Sequence, residues 1–262
     1  MSQLVIESNT APPGGSDVDV VVRGVVRVLG GTRALDGVEL QIAGRARVGI
    51  VGRSGAGKST LLSLVAGLDE PDAGTIAVGG ETAARKRLAR CALMPQRDSL
   101  LPWRTALDNA TLALENAGAP RREARRRAAP LFSRLGLAGS EQLWPAKLSG
   151  GMRQRVAFLR TLLADKPVLL LDEPFGALDA ITRAELQAWL ANALAAEPRT
   201  VLLVTHDVEE ALLLCDRVLV LSRGRVTAEL DVDVPRQGPR REVVTSTAFV
   251  ELREQALEAL EL

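Results

Sequence analysis

Gly52-Arg-Ser-Gly-Ala-Gly-Lys-Ser59, preceded by Arg47-Val-Gly-Ile-Val51 and followed by Thr60-Leu-Leu-Ser-Leu-Val-Ala-Gly-Leu68, is the stretch on which the fold turns. The first five residues form a short apolar run of the kind that makes a buried strand, and Ser59 to Leu68 carries apolar residues at helical spacing. Strand, glycine turn and helix in that order open a parallel α/β sheet. The turn satisfies G-x-x-x-x-G-K-[ST]. The loop of Gly52, Arg53, Ser54, Gly55, Ala56 and Gly57, small at every position but Arg53, lets backbone N–H groups turn inward around a phosphate chain, and the helix that follows with Ser59 and Thr60 points its positive end at the same anions. Lys58 is placed to reach the β and γ phosphates, and the Ser59 hydroxyl to hold Mg²⁺. A flexible turn matching by chance is expected in about one chain of this length in a hundred, and the flanking strand and helix make it rarer still.

Working outward, the strand–helix alternation returns at Val168 to Asp172 with Thr182 to Ala195, and at Thr200 to Thr205 with Val208 to Leu214. The core is therefore expected to be α/β with a parallel sheet. Upstream, Val18 to Arg23, Val25 to Leu29 and Val38 to Ile42 are β-branched runs separated by glycines, which predicts a small antiparallel sheet. Between Gln96 and Pro167 strand signals vanish, and Thr105 to Asn116, Arg121 to Leu135 and Gly151 to Ala164 read as helices of an inserted lobe at about 97–165. The expected organisation is a disordered lead-in at 1–16, one main domain at 17–230, and a tail at 231–262. That tail holds a Pro/Arg connector, Val234 to Arg241, and an amphipathic helix near Ser246 to Leu260.

The chain has 262 residues and 47% hydrophobic content, enough for a sizeable core. Its longest apolar runs reach about five residues, against the roughly 20 needed to cross a bilayer, and the first residues lack the pattern of a secretion signal. With 33 basic and 32 acidic residues the net charge is +1, so no global field favours nucleic acid or an anionic membrane. The cluster Arg121, Arg122, Arg125, Arg126 and Arg127 reads as a solvated helix face, without aromatic residues interleaved for base stacking. Cys91 and Cys215 lack metal-type spacing and read as buried thiols in a reducing compartment. Only four of the 33 basic residues are lysines, and one of them is Lys58.

Three further signals lie downstream. Val168-Leu-Leu-Leu-Asp172-Glu173-Pro174 ends an apolar strand in two carboxylates: Asp172 can bind Mg²⁺ through water while Glu173 faces the γ phosphate as a base or water-orienting group. In Leu148-Ser-Gly-Gly-Met-Arg-Gln-Arg155, Ser149 is a natural N-cap, and Gly150 and Gly151 bare the backbone N–H groups of the next helix, which makes a second anion site. His206 is the single histidine and closes the strand Val201 to Val204 at the edge where ligands collect in α/β sheets.

The order of the phosphate loop, Gln96, LSGGMRQR, LLLDEP, Ala177-Leu178-Asp179 and His206 resembles the ATPase subunit of ATP-binding-cassette transporters over roughly residues 18–230. The resemblance implies a P-loop NTPase core with an N-terminal antiparallel β subdomain and an inserted α-helical subdomain. It implies hydrolysis of Mg-ATP, with Gln96 as the lid glutamine near Mg²⁺ and the attacking water, Glu173 as the catalytic base, and His206 on the γ phosphate. In that family two cassettes pair head to tail, each ATP lying between one subunit's phosphate loop and the other's serine and glycines; here those are Ser149, Gly150 and Gly151, with Asp179 at the subunit interface. The family's adenine-stacking aromatic is replaced by Leu29, an aliphatic shelter with less stacking energy that leaves both ATP and GTP open as the nucleotide. Leu100-Leu-Pro-Trp103, Asp108-Asn109 and Asp172 to Arg183 are similar to importers of the nitrate, sulfonate, taurine and bicarbonate group, which also takes in thiamine-pyrimidine precursors. Membership implies a homodimer on the cytoplasmic face of the membrane, two integral-membrane permease subunits, and an extracytoplasmic solute-binding protein that touches this chain only indirectly. The rivals are a soluble cassette acting as a clamp on ribosomes or DNA, and a regulatory subunit without turnover. The single-cassette length argues against the first, and intact Lys58, Asp172, Glu173 and His206 against the second.

Overall fold

The computed structural model describes residues 17–234 and 240–261; the expected lead-in at 1–16 and the connector residues 235–239 lie outside the described residues. The N-terminal sheet contains β1 (Val20–Leu29), β2 (Thr32–Ile42) and, after β3 (Arg47–Val51) and α1 (Lys58–Ala66), β4 (Ala73–Val78). These three strands pair antiparallel in the order β2-β1-β4. The two expected runs at 18–23 and 25–29 are one strand, which passes through Gly24 at φ +57° with a shift of register beside it. A residue in that conformation bulges a strand without ending it, so a glycine that reads as a boundary works as a bend.

After α2 (Ala84–Arg90) and β5 (Cys91–Met94), four helices precede the next strand: α3 (Ala106–Ala110), α4 (Leu112–Asn116), α5 (Arg121–Arg134) and α6 (Gly150–Leu162). The helix expected over 105–116 is two short ones that share Thr111 as a junction. The inserted helices pack into one apolar cluster with residues of the strands and helix that follow them. Phe132, Phe158 and Phe175 are fully buried, and the Phe158 ring lies 6.0 Å from those of Phe175 and Trp189. Truncating a phenylalanine so placed costs about 3–5 kcal/mol. The arginine face of α5 is exposed as expected, yet it also clamps the lobe, because Arg125 donates to Asp108 at 2.7 Å and Arg121 lies 3.5 Å from the same carboxylate.

The remaining elements are β6 (Val168–Asp172), α7 (Ala180–Ala196), β7 (Thr200–Thr205), α8 (Val208–Leu214), β8 (Arg217–Ser222), β9 (Arg225–Asp231), α9 (Arg240–Val244) and α10 (Thr247–Glu261). The central sheet runs β5-β6-β7-β3-β8-β9, parallel through β8, with β9 antiparallel at one edge. Every residue of β6 and β7 is buried, as strands covered on both faces must be, and both read as continuous apolar runs. One core cluster fills the space between the two sheets, and α10 covers the other side of β8 and β9 with Phe249, Ala256 and Ala259. The chain is thus α/β, a parallel core with an antiparallel sheet before it and helices inserted between β5 and β6. Cys91 and Cys215 are buried thiols outside any disulfide, and burial pushes the Cys91 thiol up to about 12. Among the described residues no helix is long and apolar enough to cross a membrane.

Candidate active site

Parallel strands end on one edge of their sheet, so the register of neighbouring strands decides which residues meet there. Met94 pairs with Leu171, Asp172 with Val204, and Val51 with Thr205. Gln96, Glu173, His206 and Gly52 therefore leave four adjacent strands within one or two residues of the same line, the place where open α/β sheets bind ligands.

The loop 52–59 joins β3 to α1. Its glycines are required by contact as well as by conformation. A Cβ on Gly52 would lie 2.4 Å from the Leu221 carbonyl oxygen, and one on Gly57, at φ +101°, would lie 2.3 Å from that of Ala34. The loop is thus backed by β2 and by the turn between β8 and β9, where the Gly224 N–H donates to the Ala56 carbonyl at 3.2 Å. Arg53, Ser54 and Gly55 are exposed along its rim, Ala56 is buried, and Thr60 sits in the first turn of α1. Lys58 is buried, and its Nζ donates to the carbonyls of Gly52 at 2.7 Å and Arg53 at 3.0 Å. Burial lowers its pKa, opposed by the carboxylates of Glu173 and Asp172. A desolvated ammonium at the N-terminus of a helix is an anion receptor.

Opposite the loop stand two carboxylates with different surroundings. Asp172, at the end of β6, is buried; burial raises its pKa, a hydrogen bond from the Ser59 hydroxyl opposes this, Glu173 raises it further, and Lys58 lowers it. Its Oδ1 has no hydrogen-bond partner. An orphaned carboxylate oxygen beside a hydroxyl is the oxygen donor set that a hard divalent cation completes with phosphate oxygens. Glu173 adopts φ +47°, a costly conformation for a side-chain-bearing residue, pinned by its N–H donating to the Val204 carbonyl at 2.8 Å. The carboxylate is held on both sides: Gln96 Nε2 donates to Oε2 at 3.0 Å, and His206 Nδ1 lies 3.3 Å from Oε1. The structure thus brings Gln96, Glu173 and His206 together beside Lys58, Ser59 and Asp172.

It does not bring in the rest of the expected residues. Ser149 caps α6, accepting from the Met152 N–H at 3.2 Å, and Gly150 beside it is exposed. Among the described residues no hydrogen bond joins 149–151 to the loop 52–60. Asp179 caps α7 on an exposed turn, accepting from the N–H groups of Thr182 at 3.0 Å and Ile181 at 3.2 Å, and those bonds hold its carboxyl below the ordinary value. Leu29 is exposed at the end of β1, on the hairpin whose second strand backs onto Gly57. Residues that the sequence reading passed over also enter the site. Gln154, buried on α6, donates to the Glu173 carbonyl at 3.4 Å, and Arg183 on α7 reaches the Asp207 carboxylate at 3.7 Å. Glu210 is buried in the first turn of α8. Its signal was an acid among the apolar positions Val208, Ala211 and Leu214; Gln154 had only its place five residues after Ser149.

Comparison with known proteins gives a consistent picture. The family model described as "ABC transporter" matches residues 35–176. The chain is 49% identical over 209 residues to "Aliphatic sulfonates import ATP-binding protein SsuB 1" of Rhodococcus jostii, covering 80% of each chain. It is 47% identical over 188 residues to "Formylaminopyrimidine import ATP-binding protein ThiZ" of Halalkalibacterium halodurans, covering 72% of this chain and 73% of that one. Among solved structures, "Dimeric Structure of MJ0796, a Bacterial ABC Transporter Cassette" superposes with a TM-score of 0.76 at 30% identity, over 81% of this chain and 98% of that one.

Proposed function

The chain belongs to the ABC transporter family and is the ATP-hydrolysing subunit that energises an importer, and from that premise we propose how its residues divide the work. Two copies pair head to tail. Each ATP rests its phosphates on Gly52 to Thr60 of one copy, with Lys58 on the β and γ phosphates, and is closed by Ser149, Gly150 and Gly151 of the other copy; Asp179 lies at the seam and Leu29 shelters the base. Support comes from the exposure of the α6 N-terminus and the Asp179 turn, which in one chain leave two capped helix starts facing outward, and from the dimeric state of the MJ0796 cassette.

Ser59, Asp172 and Gln96 would hold Mg²⁺, which would supply positive charge beside the β and γ phosphates. Glu173 takes a proton from water as the water oxygen bonds to the γ phosphorus and the bond to the β–γ bridging oxygen breaks, leaving ADP and phosphate. Gln96 and His206 fix the Glu173 carboxylate from either side, and His206, exposed at the strand edge, contacts the γ phosphate. The observation that carries this assignment is Glu173 held between Gln96 and His206 at the edge shared with Lys58.

The pair docks on the cytoplasmic face of the membrane beneath two permease subunits, through the exposed Trp103 turn of the helical lobe, with a solute-binding protein outside delivering an anion or small ring compound such as an aliphatic sulfonate, taurine, nitrate or a hydroxymethylpyrimidine. The relatives named for aliphatic sulfonates and formylaminopyrimidine support this range. The composite site is tested by phosphate release from the isolated chain across protein concentration. The rate is expected to rise more steeply than linearly while dimers are scarce; one fixed specific rate from dilute monomer upward would show that no second copy is needed.

A further inference from the structure

Gln96 and Ser149 serve different nucleotides in the pairing proposed above, one in its own copy's site and one in the partner's. Between them lies a strap of arginines. Arg153 and Arg160 are seven residues apart on α6 and share one face. Arg153 Nε donates to Asp98 Oδ2 at 2.9 Å, while Nη1 of the same guanidinium donates to the Leu148 carbonyl at 2.9 Å. Arg160 donates to the backbone carbonyls of Asp98 at 2.8 Å and Ser99 at 2.9 Å. One planar fork thus bridges the residue two past Gln96 to the residue just before Ser149, and a second grips the backbone of the same turn. Ser99 sits at φ +46°, so this turn is held away from its relaxed form. Next to Arg153 on α6, Gln154 reaches the Glu173 carbonyl.

The Arg153–Asp98 pair is about one-third exposed on both sides, and a pair so wetted adds little to fold stability. Its geometry does more than its energy. Movement of Gln96 toward a γ phosphate pulls Asp98, and Asp98 pulls the start of α6 through a guanidinium whose two contacts are set by its own planarity.

We infer that Arg153 is a positioning residue that ties the Gln96 end of one nucleotide site to the Ser149 end of the other, so that filling one site prepares its neighbour. The inference rests on the head-to-tail reading. Arg160 anchors the turn on which Arg153 pulls.

The test uses the full-length chain as wild type, Arg153→Ala, Asp98→Asn and the double variant. Three quantities are measured: thermal unfolding, binding of a fluorescent ATP analogue by the dilute chain, and phosphate release against Mg-ATP concentration where dimers form. Expected are unchanged melting and dilute binding, a sigmoidal wild-type ATP dependence that becomes hyperbolic in both single variants, and turnover lower by about fivefold or more, the lower end for linked sites. The double variant should fall no further than the worse single one, since both substitutions cut the same link. Asp98→Asn is an isosteric change on an exposed turn, and it decides the matter should Arg153→Ala misfold. Sigmoidal wild-type kinetics retained in Asp98→Asn would overturn the strap alone, as would strictly additive losses in the double variant. A wild-type chain with hyperbolic, concentration-independent turnover would overturn the head-to-tail reading and the strap with it.

Discussion

Gln96 Nε2 donates to Glu173 Oε2 at 3.0 Å, joining residues 77 positions apart in the chain. The bond is possible because β5 and β6 are parallel neighbours in matching register, so the loop after one hangs beside the end of the other. A carboxylate fixed in this way presents one set of lone pairs to water, the requirement for a base whose proton transfer must coincide with attack on phosphorus.

Glu173→Gln is expected to bind ATP within a few-fold of wild type while turnover falls by about 10²- to 10⁴-fold, the usual worth of a positioned base. The amide keeps the size and the contact with Gln96 but cannot take the proton. The variant should accumulate as an ATP-locked dimer on size-exclusion chromatography; near-normal steady-state hydrolysis would remove Glu173 from the role.

Lys58→Ala should weaken nucleotide binding by about ten- to a hundredfold, since a charge-assisted contact to the phosphates disappears. The lysine stem is buried, so a modest loss of melting temperature should accompany it. Titration with a fluorescent ATP analogue checks the affinity, and an unchanged dissociation constant would contradict the phosphate contact.

Glu210 supplies a pH-dependent term. It is buried, its Oε1 lacks a hydrogen-bond partner, and burial first, then Asp207 and Glu173, push its pKa up to about 8 against the opposing effects of Thr205 and Arg183. Between the ordinary value of 4.5 and about 8 the folded chain holds a proton that the unfolded chain has released. Stability from this group is therefore full below pH 4.5, declines through that window, and is gone above about 8. At about 1.4 kcal/mol per unit of displacement the effect amounts to a few kcal/mol. Glu210→Gln should flatten this part of the melting temperature against pH between 5 and 8; an identical slope in both proteins would place the charge elsewhere.

Trp103 is 68% exposed at the edge of the helical lobe. It is held there by buried Asn109, whose side chain accepts from the Leu101 N–H at 2.7 Å and donates to the carbonyls of Leu101, Arg104 and Thr105. The indole is therefore presented outward rather than packed inside the lobe. Trp103→Ala should leave folding and ATP binding unchanged and lower permease assembly, or transport per ATP, sharply, as loss of an aromatic anchor does. Equal uptake by mutant and wild-type transporters at equal expression would refute the contact.

The sequence by itself determined the phosphate loop, the buried strands at 168–172 and 200–205, the capped helix at Ser149, and hence the α/β class. Each of these is written in neighbouring residues: glycines where backbone must approach backbone, an apolar run where both faces are covered, a hydroxyl where a helix leaves N–H groups open. Tertiary structure alone decided the rest. The bend at Gly24 that makes one strand of two runs, and the break at Thr111 that makes two helices of one, depend on what packs alongside. So does β5, only four residues long, which is a strand because β6 pairs with it. The meeting of Gln96, Glu173 and His206 and the strap from Arg153 to Asp98 link residues 33 to 110 positions apart. No local pattern records such distances, because strand order and register, not sequence spacing, set which side chains share an edge.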